Sequence, residues 1–334
     1  MKTVELQINI HPNDCRHFYL MAIHQINAFK SQITSIRLTL DLHNSANGRY
    51  RSEQYDSNLV SIKNAIELLK KIFPEVICDE VDYSRATIKK VANSFFKLDH
   101  VPSKAWDGGP FYSYLYGIWS SNADYIIHID SDIFFGGLSK SWVLEAIEIL
   151  NSDLSLVFIC PLSGPPHPQG FLFGHRLQMG KELIRHTLPG AYFFHSVSTR
   201  IFLTSKKIIH ERVGQFKLLR PNFLMRIKAI ILGNSSASRE LEVVFTATLQ
   251  QLGLFRLDYL GSHPGMWTLH PPFRSDVFYK KLPSLIDDIE KGVVPRSQLG
   301  KYDVVDELVD WSPQRRFRRI KSKYKQFKAI FRLG

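Results

Sequence analysis

The hydrophobic pattern switches period repeatedly along the first half of this chain. Residues 4–10 alternate and are rich in β-forming side chains, which predicts a strand, whereas 16–29 repeat apolar positions every three or four residues, as one helix face does. Strand patterns return at 33–42, 76–81 and 125–129, separated by helical ones at 59–73, 84–96 and 109–120. Ser84 stands where a helix N-cap belongs. Strand and helix in alternation imply an α/β fold, a mostly parallel sheet with flanking helices on both faces. Ligands of such sheets gather beyond the carboxyl ends of the strands.

The second half is less regular. A helix is expected at 139–150 and a strand at 154–159, followed by a Pro- and Gly-rich stretch, 160–174, that reads as a long loop of the kind that covers a site. Residues 191–203 look extended with an interruption at 196–199, 239–252 form a helix stopped by Gly253, and 255–260 close the pattern as a strand. No internal repeat is visible.

With 334 residues and 44% apolar composition, the chain can bury one large core or two modest ones, as a folded enzyme does. Cys15, Cys78 and Cys160 match neither disulfide nor metal-ligand spacing, which points to a reducing compartment such as the cytoplasm. Residues 1–14 lack the pattern of a signal peptide, and no segment approaches the ~20 apolar residues that span a bilayer.

The net charge of +12 changes the picture only through its placement. Nine Lys and Arg and no acid lie in 312–334, so the rest of the chain carries about +3, and nucleic acid is not an expected partner. In that tail Phe317, Ile320, Tyr324, Phe327 and Phe331 follow one helix face, and basic residues fill most of the remainder. A basic amphipathic helix of this kind docks on an anionic membrane surface, which predicts a protein peripheral on the inner membrane face.

The candidate chemistry sits at the end of the strand 125–129, where Ile-Asp-Ser-Asp places Asp130 and Asp132 one residue apart with few other charges nearby. Two adjacent carboxylates repel and are poorly solvated unless donors or a cation hold them, and oxygen ligands of this type suit Mg²⁺ or Mn²⁺ together with a substrate phosphate. Other chemistries lack their motifs. The first strand is not followed by Gly-x-Gly-x-x-Gly, residues 174–181 miss the P-loop spacing, and neither a Gly-x-Ser-x-Gly elbow nor a His-Glu-x-x-His helix occurs.

An α/β half ending in Ile-Asp-Ser-Asp resembles a GT-A glycosyltransferase with its Asp-x-Asp motif. Later residues follow the pattern of family 2 members in order: Glu240-Leu241-Glu242 opening a helix that ends in Gly253-Leu254, then Trp267-Thr268-Leu269-His270-Pro271. The resemblance implies Asp130, Asp132 and His270 as metal ligands, with His263 as the rival histidine. It implies Glu242 as catalytic base with Glu240 as the other possible base. His11, Asp41, Asp107 and Asp130 would meet a UDP- or GDP-sugar donor, and Ser196, Ser198 and Arg200 a saccharide or lipid-linked acceptor. The second-strand end departs from the family, reading Leu-Asp-Leu-His-Asn in place of Asp-Asp-Gly-Ser.

The implied organisation is a catalytic domain over 1–275, divided into a donor half (1–137) and an acceptor half (138–275), a helical extension over 276–311, and the basic tail. Tyr112, Tyr114, Tyr116 and Trp119 are candidates for stacking on sugars, though their spacing reads more readily as packing of a helix against the sheet. Competing readings are a haloacid dehalogenase-type phosphohydrolase, a sugar-phosphate nucleotidyltransferase and a non-catalytic binding protein. The first expects Thr or Val where Phe134 stands, and the second expects a glycine-rich basic loop where residues 10–14 stand.

Overall fold

The computed structural model describes residues 2–44, 54–173, 184–185 and 187–316. The first half alternates as its sequence does: β1 (Val4–Ile10), α1 (Phe18–Phe29), β2 (Ser35–Leu40), α2 (Tyr55–Ile72), β3 (Val76–Glu80), α3 (Arg85–Phe96), α4 (Tyr112–Ser120) and β4 (Tyr125–Asp130). There follow β5 (Phe134–Gly136), α5 (Trp142–Ser152), β6 (Leu156–Ser163), β7 (Ile184–Arg185), β8 (Ala191–Phe194) and β9 (Ile201–Thr204). A short turn α6 (Lys206–Ile208), α7 (Phe223–Ile231), α8 (Leu241–Leu252), β10 (Phe255–Tyr259), β11 (Trp267–Leu269) and α9 (Asp276–Glu290) complete the order.

The strands lie in the order β3-β2-β1-β4-β9-β6-β10-β8-β7, with β11 joining β5 and β6 off this path. Neighbours from β3 to β4 are parallel, as are β6 and β10, while β9 runs against β4 and β6 and β8 runs against β10. The expected mostly parallel sheet with flanking helices is therefore present. Every residue of β1 is buried, the polar Glu5, Gln7 and Asn9 that alternate with its apolar positions included.

Two register details assemble the site. Because β9 is antiparallel to β4, with Ile129 opposite Ile201, the chain entering β9 brings Arg200 beside the end of β4, and the Asp130 amide donates to the Arg200 carbonyl at 2.8 Å. Likewise β11 pairs antiparallel with β5, Leu269 opposite Phe134, so His270 arrives next to the Asp-x-Asp turn. This pairing requires Gly136: a Cβ there would stand 2.1 Å from the Trp267 ring.

Several expectations differ in extent. The strand expected to stop at residue 159 continues to Ser163, because Cys160 to Ser163 pair with β10 and β11 and are buried, so the loop signal of Pro161 is overridden by sheet pairing. The three-residue strands β5 and β11 are too short to carry a period, and α7 was not expected. Beyond residue 275, α9 packs Phe278, Leu282 and Leu285 into one cluster with Phe134, Trp267 and Trp311. Residues 312–316 are helical, and the remainder of the basic tail, 317–334, lies outside the described residues.

Candidate active site

The turn after β4 is held from behind by α1. Gln25, fully buried, donates from one amide nitrogen to the carbonyls of Asp130 and Ile133, both at 3.0 Å, and His24 Nε2 accepts from the Phe135 amide at 2.8 Å. From β1, Asn9 donates to the Ile129 carbonyl at 2.9 Å. The backbone carrying the two aspartates is thus fixed by side chains more than a hundred residues away in sequence.

The two carboxylates sit in opposite electrostatic states. Asp132 is 2% exposed, and its Oδ2 accepts from Arg274 Nε at 3.0 Å and Nη2 at 2.6 Å, while His270 Nε2 lies 3.7 Å away. Burial alone would raise this carboxyl, but Arg274, then His270 and His17, outweigh burial and hold it well below the usual carboxylate range. Asp132 Oδ1 is buried with no hydrogen-bond partner among the described residues. Asp130 is pushed up to about 8 by burial and then by the charge of Asp132, although the Tyr114 hydroxyl donates to its Oδ1. Tyr114, expected chiefly to pack its helix, is thus part of the site.

His270 has its Nδ1 3.2 Å from Asp303 Oδ1, and burial lowers its pKa, so its other ring nitrogen faces Asp132 in a neutral imidazole. His263 is exposed on the turn before β11, away from both cavities described below. Among the described residues no three or more His, Cys, Asp or Glu are grouped to hold a metal. Asp130, Asp132 and His270 therefore do not converge as three ligands. The neutralised, Tyr114-bonded Asp130 stands apart, and Arg274 shares the Asp132–His270 corner. Asp132 Oδ1 and His270 Nε2 still offer two donors of the type Mn²⁺ or Mg²⁺ accepts beside phosphate oxygens.

A cleft of about 510 Å³ opens over this corner, lined by His11, Asp41, Lys104, Tyr114, Asp130, Asp132, Arg200, His270 and Arg274. Asp41 is part of its wall: Oδ2 is 2.6 Å from the Lys104 ammonium, and Oδ1 accepts from Tyr83 at 2.8 Å and the His43 amide at 2.9 Å. Burial would raise Asp41, yet Lys104 and these donors bring it down to about 2. His11 caps the turn after β1, its Nδ1 accepting from the Asn13 amide at 3.1 Å. Asp107 lines neither cavity. Its Oδ1 accepts from the Gly109 amide at 3.0 Å, shaping the loop whose Gly108 and Pro110 do line the cleft.

A second cavity of about 1210 Å³ shares Arg200, His270, Pro272 and Phe273 with the first and is lined also by Ser196, Ser198 and Glu242. Glu242, in the first turn of α8, accepts from the Thr199 backbone, and burial raises its carboxyl above the ordinary value against the pull of Arg200 and Arg256. Glu240 lies outside the lining, paired with Arg239 at 3.1 Å. On the cavity wall Arg256 pairs with Asp258 at 2.7 Å, and Ser163 donates to Asp258 at 2.5 Å. Sequence reasoning did not find Arg274, Tyr114, Gln25, Lys104 or Arg256, since none stands in a motif.

No family model and no curated protein matches the chain. Solved structures that resemble it include residues 1–349 of S. aureus TarS in complex with UDP-GlcNAc, 8% identical with a TM-score of 0.38, over 80% of this chain and 58% of that one. The Pyrobaculum calidifontis mannosyltransferase PcManGT in complex with GDP-Man and Mn²⁺ is 10% identical with a TM-score of 0.35, over 86% and 62%. Mycobacterium tuberculosis glucosyl-3-phosphoglycerate synthase, with Mn²⁺, UDP-glucose and phosphoglyceric acid, is 9% identical with a TM-score of 0.32, over 76% and 80%. At these identities and scores the likeness by itself assigns neither a family nor an activity.

Proposed function

We propose that this chain is a glycosyltransferase of the GT-A kind, moving a sugar from a UDP- or GDP-sugar to a hydroxyl of a saccharide or lipid-linked acceptor with inversion. The observation that carries this reading is the meeting of two cavities at Arg200 and His270, one enclosing a buried carboxylate with an unpartnered oxygen, the other holding a carboxylate with a raised pKa. A phosphohydrolase needs only the first of these. A transferase needs both, because donor and acceptor must meet.

In this reading the donor lies in the smaller cleft, with Asp132 and His270 as the residues that hold a divalent ion. Mn²⁺ or Mg²⁺ bound there supplies Lewis-acid neutralisation of the leaving diphosphate. Arg274 and Arg200 contribute positive charge at the same place, fixed in advance by Asp132 and by the entry to β9. Asp130, uncharged near neutral pH and tied to Tyr114, hydrogen-bonds the donor without adding a second negative charge beside the diphosphate. Ser196, Ser198 and Arg200 orient the acceptor.

Glu242 takes the acceptor hydroxyl's proton as the new C1–O bond forms and the C1–O bond to the diphosphate breaks, the leaving group departing with the bonding pair. Its raised pKa brings it nearer the working pH, where a general base is most effective. The basic segment 312–334 would rest on the anionic inner membrane face, near a lipid-linked acceptor.

The test is a thermal-shift panel of nucleoside diphosphates and nucleotide-sugars with and without Mn²⁺, followed by release of nucleoside diphosphate in the absence of acceptor. A shift with one nucleotide class plus slow donor hydrolysis supports the transferase. Binding with no turnover under any acceptor would leave a binding protein, and no binding at all would remove the proposal.

A further inference from the structure

Helix α7 carries the strongest unexplained surface of the molecule. Phe223, Leu224, Ile230 and Ile231 are 67–75% exposed and Ile227 is 40% exposed, so five of its nine residues present large apolar side chains to solvent. At about 100° per residue these five share one arc about 120° wide, and Arg226 and Lys228 fall on its two sides. The helix is attached by its other positions: Ala229, on the opposite face, is fully buried, Lys228 on the flank lies over the Trp106 ring at 5.1 Å, and Asn222 caps the first turn by accepting from the Met225 amide at 2.9 Å. The apolar arc is therefore held outward by the fold.

The surrounding charge says what covers it. From Arg212 to Arg239 the chain carries six Lys and Arg and not one acid. Arg212 donates to the Asp153 and Leu156 carbonyls and Arg239 pairs with Glu240, which leaves Lys217, Arg220, Arg226 and Lys228 as the positive residues next to the helix in the chain. A second copy laid on this face would bring like charges together, and the tail at 312–334 is itself strongly basic, so neither is a complementary occupant. An anionic bilayer is. Its acyl boundary accepts the aliphatic and Phe side chains, and its headgroups meet the flanking Arg and Lys, whose long stems reach outward from an embedded helix.

We propose that α7 is an in-plane membrane anchor, inserting Phe223, Leu224, Ile227, Ile230 and Ile231 into the interface of an anionic bilayer. The inference is independent of glycosyl transfer and of the basic tail.

The experiment uses the full chain with vesicles of phosphatidylcholine alone or mixed with phosphatidylglycerol. A Phe223→Trp variant should show quenching by bromine-labelled acyl chains beyond that of the unsubstituted protein, only with the anionic vesicles. The pair Leu224→Glu and Ile231→Glu, at exposed positions, should leave thermal unfolding unchanged and weaken vesicle partitioning about tenfold or more. The proposal is overturned if Phe223→Trp gains no quenching while the protein still sediments, or if the quenching it gains survives the added Leu224→Glu and Ile231→Glu substitutions. It is equally overturned if those two substitutions convert a lipid-free dimer to a monomer, which would give the face to a second copy. Should the double substitution prevent folding, the quenching result decides alone.

Discussion

Arg274 meets Asp132 through two nitrogens on one oxygen, Nε at 3.0 Å and Nη2 at 2.6 Å from Oδ2, and its Nη1 reaches Asp14 Oδ1 at 3.2 Å. A fixed cation thus spans the turn after β1 and the turn after β4. Its position explains how a carboxylate that is 2% exposed stays charged beside another aspartate, and it leaves Asp132 Oδ1 as the oxygen without a hydrogen-bond partner among the described residues.

Arg274→Ala should therefore destabilise the fold by removing the counter-charge of a buried carboxylate. Fully buried pairs lose about 3–5 kcal/mol when one partner is removed. The Arg274 side chain is 39% exposed, so water screens part of the loss and about 2 kcal/mol is the expected size. Urea unfolding measures this, and Mn²⁺ should restore much of the stability if Asp132 is a metal ligand. A variant as stable as the parent in metal-free buffer would show that the pair is not what keeps Asp132 charged.

What the sequence makes legible is what is local. Periods of two and of three to four identify β1 to β4 and the helices between them, and the Asp-x-Asp at the end of β4 is three consecutive residues. Contacts that join distant positions leave no such trace: Arg274 and Asp132 are 142 residues apart, Gln25 and Asp130 105 apart. The position of His270 depends on β11, a strand of three residues with no period to read. Tyr114 reads more readily as packing than as a site residue because three tyrosines in alternate positions look alike until the fold decides which one reaches Asp130. The α7 arc does lie in consecutive sequence, but an apolar helix face reads equally as core until its exposure is known.

Glu242→Gln should cut turnover by about 10²–10⁴ while leaving nucleotide-sugar affinity within a few-fold, since the amide keeps the shape but cannot accept the proton. The unsubstituted protein adds a pH signature. Burial raises the Glu242 pKa above 4.5, so the ionised base is lost earlier as pH falls, and kcat/KM should decline on its acid side at a pH above the ordinary carboxylate range. That limb should be absent from the residual activity of the variant. An unchanged profile or full activity in Glu242→Gln removes the base assignment.

The Asp41–Lys104 pair tests the wall of the donor cleft through stability. Both side chains are under 10% exposed, and Asp41 falls from an ordinary 3.8 to about 2 on folding. The unfolded chain therefore takes up this proton first as pH drops. The contribution of the pair is complete above about pH 4, shrinks through the interval down to about 2, and is gone below it, a change of about 2 kcal/mol. Asp41→Asn should abolish that portion of the acid slope and destabilise at pH 7 by about 3–5 kcal/mol, because Lys104 is left buried without its partner. Acid titrations of unfolding free energy in the two proteins measure both effects, and parallel curves would contradict the assignment.

Gln25 offers the sharpest separation of fold from site. Its amide nitrogen serves the carbonyls of Asp130 and Ile133, and Gln25→Leu replaces it with a side chain of similar size that cannot donate. The Asp130 carbonyl keeps the Ile133 amide at 3.4 Å, while the Ile133 carbonyl loses its donor, so a loss of about 1–3 kcal/mol in unfolding free energy is expected. The turn it releases carries Asp132, whose free oxygen must point into the cleft for donor binding. Nucleotide-sugar affinity should therefore fall at temperatures where the variant remains fully folded, while Glu242, on the far side of the shared wall, keeps its place. Calorimetric titration of donor against circular dichroism of the same sample separates the two effects. Undiminished affinity in the folded variant would mean that the turn holds its geometry without α1.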